Sequence, residues 1–365
     1  MKKSLLALAV AAMAASSVAS AATVYEKDGD TLAVYGRVQG VLYSTDQAAL
    51  NSYNDNSLQA SGRLGFDMRT QVMPGVAAFA KMEWDVADGT RGDGGEWGVR
   101  YAFLGLDFGQ YGLIKGGRFE DALKYVLSAT DIFDDYGCYG LFGDNPKRDG
   151  IIMYSWSGYG FDVNASFQTA ADGQEMRYAK SDVDHAYAIS AGYKSAPVLF
   201  GPIAVKAGYN FTQTQVEDSK KGANPALTGA DNIQGYAVSA SWGDLAQGPY
   251  IGATYNEQTV EMFQAGGKDF EGKGFEVAVA YGFANGVSVR TAYMYKNLDN
   301  GTVDAVAKVM PVYVNYQMNP RFNVWAEARF DVGTDDKNDK VPFTAVGGES
   351  GLDEHVYSVG ARYTF

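Results

Sequence analysis

The side chains that carry out most enzymatic chemistry are scarce in this chain of 365 residues. It has two histidines, His185 and His355, and one cysteine, Cys138. Neither histidine stands at a spacing from serine and aspartate that indicates a nucleophilic triad, although folding could still bring such groups together. The counts also fall short of the usual ligand set of a zinc site. We therefore predict a protein that is not an enzyme and that needs no metal or cofactor.

Two further features, a possible cation site and a single thiol, have explanations that involve no chemistry. The run from Asp335 to Asp339 could hold a divalent cation weakly, but a solvated loop explains it better. Cys138 is flanked by Tyr136, Tyr139 and Phe142, which favours a packed and inert thiol over a reactive one.

One long segment combines acidic and apolar residues. It runs from Glu120 to Lys147, about 28 residues, and loops beyond ~15 residues are usually functional or disordered. Its apolar side chains are too many for a solvated tail: Leu123, Tyr125, Val126, Leu127, Ile132, Phe133, Tyr136, Tyr139 and Phe142. Folding into an enclosed interior would satisfy both kinds of group. A surface loop that binds a partner is the alternative.

Alternation of apolar and polar residues is the strongest signal for the elements that must position these groups. In the segment 322–331 one face carries Phe322, Val324, Ala326, Ala328 and Phe330, and the other carries Asn323, Glu327, Arg329 and Asp331. The same period of two recurs at 161–168 and around 275–283. A soluble sandwich would turn the apolar face to a core and a membrane barrel would turn it to lipid, so the alternation fits both.

The spacing of the turns favours the barrel. Short connections, such as 73–75, 158–160 and 285–286, alternate with long polar ones, such as 334–353, so the long loops fall on one side. We predict an all-β fold, a transmembrane antiparallel β-barrel of sixteen strands with an inward-folded constriction loop. Fourteen or eighteen strands remain open because 97–108 and 148–157 break the alternation. The predicted strands are 32–43, 60–72, 76–87, 97–108, 113–119, 148–157, 161–170, 184–194, 203–214, 233–242, 249–260, 273–284, 287–297, 306–317, 322–333 and 354–365.

The two ends of the chain agree with an exported barrel. Lys2 and Lys3 precede an apolar run too short to span about 30 Å of hydrocarbon, and Ala19-Ser20-Ala21 supplies the small residues of a cleavage site. We predict a signal peptide at 1–21 and one barrel domain at 22–365. Loss of both lysines changes the formal charge from −13 to −15, which argues against nucleic acid as a partner. The last predicted strand ends on Phe365, as barrel closure permits.

Several segments resemble the trimeric general diffusion porins of Gram-negative bacteria. They are AATVYEKDGDTLAVYGRVQG, GRLGFDMRTQV, VRYAFLGLDFGQYG, TDIFDDYG and the terminal YTF. The resemblance is strongest over 22–148. It implies a homotrimer of sixteen-stranded barrels in the outer membrane, each narrowed by its third extracellular loop. It also implies contact with lipid and lipopolysaccharide, and insertion by the barrel-assembly machinery through a C-terminal strand whose signal is Phe365.

The resemblance further implies which side chains line the narrowest point. The matching motifs place four arginines on its basic side: Arg37, Arg63, Arg100 and Arg148. The family motif PEFGG appears here as Asp134-Asp135-Tyr136-Gly137-Cys138. Asp131 and Asp135 take its two acidic positions, Asp134 replaces the proline, and Cys138 replaces the second glycine.

Charges arranged in this way would act on solutes directly. Arginines on one wall and carboxylates on a loop opposite create a transverse field that orders water and polar solutes and disfavours apolar ones. Further arginines on predicted polar faces are candidates to line the lumen: Arg69, Arg290, Arg329 and Arg362.

The predicted function is passive diffusion of ions and small hydrophilic solutes through a water-filled pore. The acidic net charge favours cations, and the arginine cluster opposes this locally. Three other functions stay open: a sugar-type channel with an aromatic path, a barrel enzyme, and an adhesin or receptor without an open pore.

Overall fold

The computed structural model describes residues 22–44, 58–88, 97–142, 147–176, 179–215, 230–262, 269–302, 304–334 and 351–365. The predicted signal peptide and the run from Asp335 to Asp339 lie outside these residues. Within them, no helix has the length and apolar character needed to cross a membrane.

Antiparallel strands make up nearly all of the described chain. Their bounds are β1 Ala22–Lys27, β2 Asp30–Tyr43, β3 Leu58–Met73, β4 Val76–Asp88, β5 Gly98–Asp107, β6 Leu113–Phe119, β7 Arg148–Gly158, β8 Phe161–Gln168, β9 Ala171–Met176, β10 Ala179–Val198, β11 Gly201–Thr214, β12 Ala230–Gly243, β13 Gly248–Met262, β14 Phe270–Gly282, β15 Val287–Asp299, β16 Asp304–Asn319, β17 Phe322–Asp331 and β18 Val356–Thr364. One short α-helix, α1 Lys124–Leu127, interrupts them between β6 and β7.

Sixteen of these strands close into a barrel. Each pairs with the next one along the chain, β8 pairs with β10, and β18 pairs with β2, so no edge remains open. Closure satisfies the backbone hydrogen bonds that a strand edge would leave bare in lipid. The predicted number of barrel strands is confirmed, and every predicted strand overlaps one of the sixteen.

Two short strands were not predicted. β1 pairs with β2 at Ala22↔Val34, beyond the point where β18 stops, and β9 pairs with β10 beyond the end of β8. Each therefore continues a barrel strand end to end and adds no position to the ring. Neither has six residues of clear alternation with a buried face, which explains why periodicity alone missed them.

Which face of each strand is buried, the polar or the apolar one, distinguishes a barrel from a sandwich. On β17 the charged side chains of Glu327 and Arg329 are 2% and 1% exposed, whereas apolar side chains on the outside, such as Leu104 at 70% and Val359 at 57%, are bare. This is the reverse of a soluble domain and is what lipid contact requires. The charged side chains of β17 therefore point into a polar interior and the bare apolar ones point outward.

Candidate functional site

The segment between β6 and β7 lies inside the barrel. Its described part, 120–142, has a buried apolar side that includes Val126, Leu127 and Leu141, each 0% exposed. These side chains pack with Leu123, Cys138 and the inward-facing Ala237 of β12. The segment, hereafter the constriction loop, therefore satisfies its apolar groups against the inner wall.

The acidic stretch of the loop is held by a wall carboxylate. The backbone N–H groups of Asp135 and Tyr136 donate to the two carboxylate oxygens of Glu327 on β17, at 2.9 and 2.8 Å. The Asp135 side chain in turn accepts three hydrogen bonds, from the Ser358 hydroxyl at 2.6 Å, the Trp325 indole N–H at 3.2 Å and the Tyr43 hydroxyl at 3.2 Å. Asp135 is thus fixed by neutral donors from β17, β18 and β2.

Asp134 makes the ion pair between the loop and the wall. Its carboxylate accepts from the Arg362 guanidinium at 2.8 Å and from the Tyr313 hydroxyl at 2.6 Å. Burial pushes the pKa of Asp134 upward, but Arg362, Tyr313 and Arg290 outweigh burial, so this pKa lies below its usual value of 3.8. Asp134 is therefore ionised at neutral pH.

The contribution of Asp134 to ion selectivity should depend on pH in a defined window. A carboxyl group whose pKa is lowered in the folded protein contributes its charge and stability above about pH 4, and both are lost as the pH falls through the lowered value. We expect the difference in reversal potential between the wild type and Asp134→Asn to be constant from pH 7 to about pH 4 and to shrink below it. A difference that already shrinks between pH 6 and pH 5 would contradict the Arg362 ion pair.

Three of the four arginines implied by the resemblance lie together on the wall. Arg37 on β2 stands directly opposite Arg63 on β3 in the strand register. Arg63 and Arg100 share two carboxylates of β4: Arg63 binds Asp85 at 3.1 Å, and Arg100 binds Glu83 at 2.8 Å and Asp85 at 3.1 Å. Among the described residues, the side chain of Arg37 has no hydrogen bond or ion pair.

The fourth arginine lies elsewhere. Arg148 begins β7, is 3% exposed, and binds Asp121 at the start of the loop at 3.2 Å. It lies two strand positions from Arg100 and five from Arg37, and its ion pair is with the loop and not with the carboxylates of β4. Asp131 likewise pairs within the loop, with Lys124 at 3.1 Å. These two residues belong to the attachment and the internal structure of the loop.

The other candidate arginines divide into two groups. Arg362 contacts Asp134 and also Gln39 at 3.0 Å, and Arg290 donates to the carbonyl of Ile132, so both touch the loop. Arg329 lies 4.7 Å from the ring of Tyr139, also in the loop. Arg69 instead binds Asp107 at 2.7 Å, near the short turns. The acidic stretch and the basic wall therefore meet at β18 and β2 and are not separated by open lumen.

Cys138 occupies a backbone conformation that favours glycine. Its φ is 63°, and its thiol is buried against the wall. The left-handed region costs a residue with a side chain roughly 1–2 kcal/mol. Apolar packing around the thiol offsets this strain.

Several residues of the site escaped the sequence analysis. Glu83 and Asp85 follow the inward period of β4, and Glu327 was recognised only as a member of a polar face. Alternation marks such side chains as inward-facing, but pairings across 17 to 192 residues of sequence leave no local pattern.

Among the described residues, no group of three or more histidine, cysteine, aspartate or glutamate side chains could hold a metal ion.

Comparison with known proteins places the chain among channels. The family model described as Gram-negative porin matches residues 7–338. Outer membrane porin C of Enterobacter cloacae is 27% identical, with all of both chains covered. The fold resembles that of Salmonella typhi OmpF, solved in complex with daunomycin, at a TM-score of 0.71 and 21% identity, covering 94% of this chain and 100% of that one. It also resembles a trimer form of Vibrio cholerae OmpT at a TM-score of 0.64 and 19% identity, covering 93% and 100%.

Proposed function

The chain belongs to the Gram-negative porin family, and from that premise we propose how its channel discriminates between solutes. It is an integral β-barrel of the bacterial outer membrane and forms a general diffusion channel for passive movement of ions and small hydrophilic solutes. Its relatives are channels. We propose that this chain likewise has no enzymatic activity and uses no cofactor.

The constriction loop and the arginine wall together form the selective part of the pore. The basic side consists of Arg37, Arg63, Arg100 and Arg362, and the acidic side consists of Asp134 and Asp135. The observation that carries this proposal is the direct contact between Asp134 and Arg362, one strand away from Arg37. Arg148 and Asp131 hold the loop and take no part in selection.

The fixed positive and negative charges at the constriction nearly cancel. This limits the preference of the pore for ions of one sign. Arg63 and Arg100 are neutralised by Glu83 and Asp85, and Asp134 by Arg362. Fixed charges in near balance order water and polar solutes without excluding either sign of ion. The excess negative charge of residues 22–365, −15 once Lys2 and Lys3 are lost from the −13 of the whole sequence, then gives a weak preference for cations.

The remaining partners follow from the same membership. We propose a homotrimer, as in the trimer form of OmpT. An apolar hollow of about 610 Å³ on the outside of β3–β7, with Leu104, Leu106 and Ile114 in its lining, is suited to contact with another subunit or with lipid. Lipopolysaccharide surrounds the outer half of the barrel, and the barrel-assembly machinery recognises the terminal strand that ends at Phe365.

Planar-bilayer recording of the purified protein tests the pore and the trimer together. We expect conductance to appear in steps grouped in threes and a small reversal potential of cation-selective sign in a KCl gradient. Absence of conductance would indicate a receptor or an adhesin. Block that saturates with sugar concentration would indicate the sugar-type channel, and an anion-selective potential would contradict the proposed charge balance.

The mature protein should begin at Ala22. Ala22 pairs with Val34 and Thr364 pairs with Arg37, so β1 and β18 lie end to end along one edge of β2. A leader of 21 residues attached there would stand at the seam of the barrel. We expect the intact mass of protein extracted from outer membranes to equal that of residues 22–365. A mass that retains 1–21 would contradict the predicted cleavage.

A further inference from the structure

One part of the inner wall carries unusually small side chains. Strand pairing aligns three rows of inward-facing residues across β8, β10, β11, β12, β13 and β14. The rows are Ser166, Ala188, Asn210, Gly235, Gln258 and Gly272; Asn164, Ser190, Gly208, Ala237, Asn256 and Gly274; and Asp162, Gly192, Lys206, Ser239, Thr254 and Glu276. Most members are glycine, alanine, serine or threonine. We refer to these three rows as the seat.

The wall at β2 to β6 is built differently. On β2 to β6 the inward-facing positions carry large side chains, among them Tyr35, Arg63, Lys81, Tyr101 and Phe103, which form the ion pairs and ring contacts of that wall. Small inward-facing side chains are therefore more frequent in the seat than on β2 to β6, where Gly65 and Gly105 are covered by the rings of Tyr35 and Phe79.

The constriction loop fills the space that the small side chains leave. A methyl group on Gly274 would come within 2.0 Å of the Gly140 carbonyl oxygen, and one on Gly272 within 2.7 Å of the Phe142 ring. A methyl group on Gly208 would meet the side chains of Val126 and Leu123 at 2.9 and 3.0 Å. The loop thus lies as close to the strands as the absence of side chains permits.

Polar members of the seat bind the main chain of the loop. Ser239 donates to the Val126 carbonyl at 2.7 Å, and Asn256 donates to the Phe142 carbonyl at 2.7 Å. Glu276 accepts from the Gly140 N–H at 2.9 Å. These bonds use backbone groups of the loop, so they add to the apolar packing of its side chains against the seat.

We propose that the seat fixes how far the constriction loop projects into the lumen and so sets the open cross-section of the pore. This inference rests on the proposed function and names the residues that position its selective part. The loop is a fixed lining, because its main chain is bound across neighbouring strands and its apolar side is covered.

Cys138 supplies a reporter of loop position that needs no engineering. It is the only cysteine of the chain, it is 7% exposed, and it packs between loop residues and Ala237 of the seat. A water-soluble maleimide should label it slowly in the folded protein. Lifting the loop from the seat should expose the thiol.

The decisive experiment combines Cys138 labelling with single-channel conductance of the full-length trimer. In Gly274→Ala the added methyl group displaces the loop toward the lumen, so conductance should fall and Cys138 should be labelled about tenfold faster or more, as expected for an overpacked site. Gly40→Ala is the matched control, because a methyl group there meets no atom within 4 Å. It should match the wild type in both measurements.

A second set of variants keeps the test decisive if Gly274→Ala does not fold. It adds a methyl group to the wall and then removes the loop side chain that this group meets. Gly272→Ala should behave as Gly274→Ala does, and adding Phe142→Ala removes the ring that the new methyl group meets and should restore slow labelling. Wild-type conductance and labelling in both Gly274→Ala and Gly272→Ala would overturn the proposal that the seat positions the loop. Equal exposure of Cys138 in Gly272→Ala with and without Phe142→Ala would do so too. A wild type that never conducts would instead refute the proposed function, whatever the labelling shows.

Discussion

Arg37→Gln should shift the reversal potential of the open pore toward cations, whereas Arg148→Gln should leave it nearly unchanged. Arg37 lies on the basic wall opposite Arg63 and has no ion pair among the described residues. A unit charge about 4 Å from a passing ion is worth about 1 kcal/mol in water. Removing it should therefore change the permeability ratio of cations to anions by roughly twofold to fivefold, less at high salt because the charge is screened.

Arg148 provides the opposite result in the same assay. Its side chain is 4% exposed and lies at the start of the loop beside Asp121, whose side chain is 5% exposed. Removing one partner of a buried ion pair typically costs about 3–5 kcal/mol. We expect Arg148→Gln to lower the thermal stability of the trimer, and Arg148→Gln combined with Asp121→Asn to recover part of it. A selectivity shift in Arg148→Gln as large as that of Arg37→Gln would place Arg148 at the constriction.

The barrel could be read from the sequence because its period is short and local. Each strand reports its own two faces, and the faces at Phe322 to Asp331 point as an alternating pattern requires. What alternation could not tell was which face is buried, since a sandwich and a barrel share the pattern. The buried Glu327 beside exposed Val359 on the neighbouring strand settles that point, and it depends on closure of the whole ring.

The site was predictable in part, and the limit was distance along the chain. Resemblance in motif named Arg37, Arg63, Arg100 and Arg148 together, and the structure places the first three on β2, β3 and β5 and Arg148 beside Asp121 at the start of the loop, because a motif records residue type and not the path of the loop that follows. The partners of the loop lie as far as 228 residues away, as for Asp134 and Arg362. Such pairs form only when β18 closes against β2, and no local spacing encodes them.

The same contacts lead us to expect that the loop tolerates sequence change better than the wall does. At Asp135 and Tyr136 the wall binds backbone N–H groups, which every residue except proline supplies. An aspartate can therefore stand at 134, where the family motif has proline, without loss of these bonds. The strict requirements fall instead on the wall side chains that accept and donate.

Glu327→Ala should release the acidic stretch of the loop, with a larger effect on the pore than any single change in the loop itself. The carboxyl group of Glu327 is the acceptor for two backbone N–H groups of the loop, and leaving a buried donor unsatisfied costs about 1–3 kcal/mol. Without it both donors are unsatisfied, and Asp135 loses its alignment with Tyr43, Trp325 and Ser358. We expect noisier single-channel currents and a changed mean conductance, with Glu327→Gln intermediate because its amide keeps one acceptor oxygen.

A double-substitution cycle separates this positioning role from simple destabilisation. Asp135→Asn should alter ion selectivity in the wild-type background but have little further effect once Glu327→Ala has displaced residue 135 from the constriction. Asn323→Ala is the matched control, since Asn323 is a buried inward-facing residue of the same strand that binds Asn315 and not the loop. If Asp135→Asn changed selectivity equally in both backgrounds, Glu327 would not position the loop, because the loop carboxylate would act from the same place without its wall acceptor.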